Sequence, residues 1–91
     1  MLRLEDIKEY NALAIVLEGY DKAIVGYDMV NHVIIYDRDK MIKIATQEII
    51  RDTEENNPQV IAEEYLDFNV FSAHFGEFTP IFLEKVSHAR L

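Results

Sequence analysis

The 91 residues contain no cysteine and no tryptophan, and only three glycines and two prolines. Without cysteine there is no disulfide framework, no zinc finger and no thiol nucleophile. Three glycines cannot build either of the usual phosphate-cradling loops. Basic residues are scarce too, nine against seventeen acidic ones, for a formal net charge of −8. That balance argues against direct nucleic-acid binding, because the phosphate backbone demands clustered Lys and Arg. The longest wholly apolar run, residues 12–17, is far short of the roughly 20 residues that span a bilayer. Met1-Leu2-Arg3-Leu4-Glu5-Asp6 sets acids where a signal peptide carries its apolar stretch, and no lipidation motif is present. The expectation is a cytoplasmic protein with no membrane contact and no cofactor.

What is present has the balance of an ordinary globular chain, 49% hydrophobic and 29% charged. At this length it makes one domain, residues 1–91. Leu, Ala, Glu and Lys predict a first helix from Leu4 to Glu18, with Ile7, Tyr10, Ala14 and Leu17 on its inner face and Gly19 at its end. Residues 23–27 and 33–36 are short, β-branched and aromatic, and read as a hairpin turning over residues 28–32. Their nearly continuous apolar character suggests a sheet covered on one face or on both. Asp37 suits the cap of a helix from Arg38 to Asp52 with Ile42, Ala45 and Ile49 inward. Asn57-Pro58 opens a third helix that carries Ile61, Tyr65 and Phe68 on one line, with Ala62 and Leu66 beside it. Gly76 ends that segment or its extension. Residues 79–83 read as an edge strand with Pro80 near its start, and 86–91 as a frayed tail. The prediction is an α+β fold with a small three-stranded sheet and about three helices, in the order α-β-β-α-α-β.

Between Glu48 and Asp67 stand seven carboxylates against Arg51 alone, a net six of the eight negative charges. Such a run is a solvated face, a docking patch that steers a basic partner, or a mimic of nucleic-acid charge. The residues that would carry docking are Asp52, Glu54, Glu55, Glu63, Glu64 and Asp67. His74 and Glu77 are spaced to share a metal on a helix, but Gly76 between them weakens that geometry, and no metal-ligand motif occurs. His32 falls in the hairpin turn and His88 in the tail. Ser72 and Ser87 are the only serines, and neither sits in a nucleophile elbow. All five phenylalanines crowd residues 68–82, more than one short helix face can bury. Phe71 and Phe78 are the pair expected to be left over as a homodimer patch.

Gly26-Tyr27-Asp28, Val33-Ile34-Ile35-Tyr36, Glu64-Tyr65-Leu66-Asp67-Phe68-Asn69 and the block from Gly76 to Phe82 together resemble a group of short proteins from tailed phages and environmental sequences. The resemblance covers about residues 19–83. The group usually shows Gly-Glu-x-Thr-Pro in its last block. This chain departs from it at residues 53–59, where a shorter turn is usual, and at His74, where an aromatic is usual. The resemblance implies a phage or prophage setting and no particular chemistry. The combined expectation is a non-enzymatic acidic protein that binds and modulates a host protein with a basic surface. One alternative is a small ligand- or metal-binding enzyme around His74, Glu77 and Thr79. The other is a virion structural or assembly protein.

Overall fold

A computed structural model describes residues 4–85; the expected tail at 86–91, with Ser87 and His88, lies outside the described residues. In chain order the elements are α1 (Leu4–Tyr10), a single 3₁₀ turn (Asp21–Ala23), β1 (Ile24–Asp28) and β2 (Val33–Asp37). Then come α2 (Arg38–Asp52), α3 (Pro58–Leu66), a π-helical turn (Asp67–Phe71) and β3 (Ile81–Leu83). The sheet order is β1-β2-β3. β1 and β2 are antiparallel, and β3 joins β2 in parallel at the far edge. This is the predicted α+β order.

The hairpin turn is held by Asp28. Its carboxylate accepts from Val30 N at 2.9 Å and from Asn31 Nδ2 at 2.9 Å. The Val30 amide and the Asn31 side chain together hold the Asp28 carboxyl below its usual range. A bulge between Ile24 and Gly26 sets two β1 residues against Ile35. Ile24, Tyr27, Ile34, Tyr36 and Phe82 therefore share one face of the sheet and pack into the core.

α2 spans the predicted residues. Asp37 Oδ1 accepts from Lys40 N at 3.1 Å, which satisfies one of the orphan amides of the helix start. Met41, Ile42 and Ala45 are buried, while Ile44 and Ile49 flank them half-buried. α3 runs back along α2, and its small Ala62 is fully buried together with Leu66.

Two expectations fail. The first helix stops at Tyr10 instead of Glu18. Asn11 Oδ1 accepts from Leu13 N at 3.0 Å, and Asn11 Nδ2 donates to His32 O at 2.9 Å. That side chain offers the backbone an alternative to helix. Beyond it, β-branched Ile15 and Val16 disfavour helix, and Leu17 N donates to Tyr36 Oη at 2.8 Å. Ala14 is buried, but Leu13 is 71% exposed and Tyr10 55%. The third helix also turns a different face inward. Tyr65 is 56% exposed and Phe68 83%, because Ala62 and Leu66 occupy the contact with α2 and the core. The π-helical turn then adds a residue, and Ser72 Oγ closes the wide turn on Asp67 O at 2.6 Å. Phe71 thereby returns to the core side.

Asp37 is 1% exposed, and its Oδ2 pairs with Lys85 Nζ at 2.9 Å. Burial pushes this carboxyl up, but bonds from Lys85 and Lys40 and the Lys85 charge outweigh burial and leave it below the usual range. Its folded pKa is thus lower than its unfolded one. The stabilisation is present above the ordinary carboxylate range and is lost as pH falls through the folded value. Asp37→Asn should lower Tm at neutral pH, and the gap to wild type should close below about pH 4, read by thermal melts across pH. A second prediction concerns the anchor of residues 14–17. Tyr36→Phe leaves the Leu17 N–H without its partner and should cost about 1–3 kcal/mol in urea unfolding.

Candidate functional site

The six acidic residues singled out in the sequence are all at least partly exposed, but the fold does not gather them into one patch. Asp52 ends α2 and is bonded by its neighbour Arg51 at 2.9 Å. Asp67 follows α3 and pairs with Arg38 at 3.2 Å, at the other end of α2. Fourteen residues of helix, about 20 Å, separate these two pairs. Glu54 and Glu55 lie in the connection between α2 and α3. Glu63 accepts from Gln59 Nε2 at 3.1 Å and faces a groove of about 510 Å³ that also contains Lys43. Cations therefore stand beside much of the acidic run.

The other flank of the α2–α3 pair differs. There a groove of about 470 Å³ is lined by Ala45 and Ile49 from α2, Ile61, Ala62 and Tyr65 from α3, and Tyr20 from the preceding loop. Exposed Glu18 and Glu48 complete the lining, and no Lys or Arg takes part. Gly19, at φ +90°, turns the chain so that Glu18 and Tyr20 reach this position, and glycine adopts that conformation without strain. Burial, with the Glu48 carboxylate next, holds the Tyr20 hydroxyl above its usual pKa. Tyr20 is thus a neutral hydroxyl at physiological pH. Phe68 stands three residues beyond Tyr65 and is the most exposed phenylalanine. The arrangement has an apolar floor, two aromatic side chains and the carboxylates of Glu18 and Glu48 at its rim; on its other side Glu48 shares a hollow with Lys22 and Arg51, and its charge helps to raise the Arg51 pKa.

None of the residues lining this groove was singled out as a site residue in the sequence. Glu18 was placed at the end of a helix that stops at Tyr10, Tyr20 followed it, and Ala45, Ile49, Ile61 and Tyr65 belonged to expected inner stripes. The one sequence signal of the site is Gly19, flanked by an acid and an aromatic.

The expected homodimer patch is not formed as a pair. Phe71 meets Phe82 edge to face at 5.1 Å, and the Arg38 guanidinium lies 4.9 Å from its ring centre. It is part of the packing. Phe78 is half-buried and lines a hollow of about 460 Å³ with His32, Val33, Glu77 and Thr79.

The block around His74 is local turn chemistry. Thr79 Oγ1 accepts from Phe75 N at 2.8 Å and donates to Gly76 O at 2.7 Å. His74 Nδ1 accepts from Gly76 N at 3.3 Å. Gly76 sits at φ +102°, where a side chain would be strained. Among the described residues no three His, Asp or Glu side chains converge to hold a metal ion. No helix among them is long and apolar enough to cross a membrane. No model of a known family, no curated protein and no solved structure matches the chain.

Proposed function

We propose that the chain is a non-enzymatic binding protein that holds a basic partner protein in the groove between α2, α3 and residues 18–20. The observation that carries this reading is the lining of that groove, apolar below and acidic above, with no cation. Ile49 and Ile61 offer contact for an apolar side chain, and Tyr65 a broad aromatic wall. Such a contact supplies most of the affinity when its surroundings exclude water. Glu18 and Glu48 supply steering and partner choice. The complementary ligand is a segment with one large apolar residue between Lys or Arg residues. Glu54 and Glu55 at the helix connection extend the negative field and speed encounter without touching the anchor. A phage or prophage setting, implied by the resemblance above, makes the partner a host protein and the place of action the host cytoplasm. Takeover, anti-defence and antitoxin-like neutralisation are the modes such binding serves.

The test is capture from host-cell lysate by the tagged full chain, at low and then high salt. Wild type should retain a basic protein that salt releases. The double variant Glu18→Lys, Glu48→Lys should lose it, and Tyr65→Ala should weaken binding of the purified partner by about 1–2 kcal/mol. Both variants alter exposed side chains and should melt close to wild type. Equal capture by wild type and the double reversal would overturn the proposal.

A further inference from the structure

The groove between α2, α3 and residues 18–20 has more room than one apolar anchor fills. Truncating a large apolar side chain leaves a cavity of about 150 Å³, whereas this groove holds about 470 Å³. Buried Ala45 and Ala62 lie at its floor, with Ile49 and Ile61 half-buried beside them. Tyr20, half-buried, and Tyr65, exposed, belong to the same lining. A second side chain next to the anchor therefore meets aliphatic carbon, aromatic ring and carboxylate together. Lys and Arg are built for such a place, with an apolar stem and a charged head.

Three observations bear on which of the two enters. First, the two carboxylates are not equivalent. Glu48 is shared with the hollow of Lys22 and Arg51, whereas Glu18 enters no ion pair among the described residues. Second, the Tyr20 hydroxyl bonds to no described residue, and its oxygen is open to a donor. A carboxylate, a phenol oxygen and an aromatic face suit a planar head with five N–H donors better than a compact ammonium. Third, the fold makes this arrangement once with its own side chains. The Arg38 guanidinium lies 4.9 Å from the Phe71 ring centre and pairs with Asp67 at 3.2 Å. At the groove the chain supplies ring and carboxylate but no arginine of its own.

We infer that the groove reads arginine in its partner: the stem lies on the apolar floor, and the guanidinium stacks on Tyr65 and bonds the Glu18 carboxylate. This rests on the binding function proposed above and narrows its ligand. The basic residue beside the apolar anchor is Arg, and Lys in its place binds less well. A guanidinium is more weakly hydrated than an ammonium, so it gives up less on leaving water for an aromatic face. It also lies flat on that face. The Tyr20 oxygen accepts a further N–H. Glu48 adds to the negative field, but Arg51 already draws on its charge.

The test uses the full chain and a pair of synthetic peptides. One carries a leucine flanked by arginines, the other the same leucine flanked by lysines, and both are otherwise glycine and serine. Titration followed by amide shifts reads affinity and location together. Both peptides should shift Ile49, Ile61 and Tyr65, and the arginine peptide should bind at least about threefold tighter. Tyr65→Leu keeps apolar bulk without the ring. It should erase that preference and leave lysine-peptide affinity within about twofold. Tyr65→Phe, which restores a ring, should keep the preference. Glu18→Gln should weaken the arginine peptide more than Glu48→Gln does. Equal affinity of the two peptides at the groove, or a preference that survives Tyr65→Leu, would overturn arginine recognition and leave the binding function standing. Shifts confined to residues outside the groove, or no binding of either peptide up to millimolar concentration, would overturn both.

Discussion

The carboxylate of Asp37 fastens the end of β2, the start of α2 and the end of β3 to one another. One oxygen accepts from the backbone of Lys40 and the other from the ammonium of Lys85. At 1% exposure this charge would be costly without partners, so the three segments must meet where it lies. β3 has only three residues and one neighbour, and a ladder that short holds weakly. Lys85, two residues past the strand, adds a tie at its end. The rest follows in sequence. With β3 in place, Phe82 stacks on Tyr36 at 6.1 Å and receives the edge of Phe71. Arg38, the residue after Asp37, then lies over Phe71 and pairs with Asp67, which ties the end of α3 to the start of α2.

That chain of contacts explains which elements were legible from residues alone. α2 could be read to its ends because cap, apolar spacing and polar exit agree. The start of α3 was legible for a similar reason. Asn57 takes the left-handed conformation at φ 55° without a side-chain cap bond, yet Pro58 still begins the helix as expected. The rotation of α3 was not legible. Size decided it: Ala62 admits close approach to α2, and periodicity alone gives Tyr65 and Phe68 equal claim to the inside. α1 was overextended because Ala12, Leu13, Ala14 and Leu17 favour helix, while Asn11 and the β-branched Ile15 and Val16 give only a weak local signal against it. Distant bonds decide it: Asn11 bonds the hairpin at His32, and Tyr36 takes the amide of Leu17. No local rule contains those partners.

The candidate site failed to show in the sequence for a related reason. Charge is easy to count along a chain, and residues 48–67 look like one acidic body. An antiparallel helix pair divides that body between two flanks and two ends. Arg38, Lys43 and Arg51 then stand beside the parts that looked unopposed. The flank whose groove has only carboxylates among its charged lining draws Glu18 and Tyr20 from a loop outside the run, although Glu48 there also stands beside Arg51. The net charge was thus a correct reading of the whole surface and a poor guide to any one place on it.

Not every exposed apolar residue of this chain calls for a partner. Leu13, Ile50 and Val60 stand in separate segments, and single apolar side chains at a surface are normal. Ile35, Ile81 and Leu83 stand side by side because strand pairing sets them there, but Val33 and Asp37 on the same side of β2 are already buried by the chain itself. The groove at Tyr65 differs because its apolar floor is bordered by Glu18 and Glu48. The two parts of that groove respond differently to salt. A field from its carboxylates is Coulombic and is screened as ionic strength shortens the Debye length. Its floor gains from leaving water, and salts excluded from protein surfaces strengthen that gain.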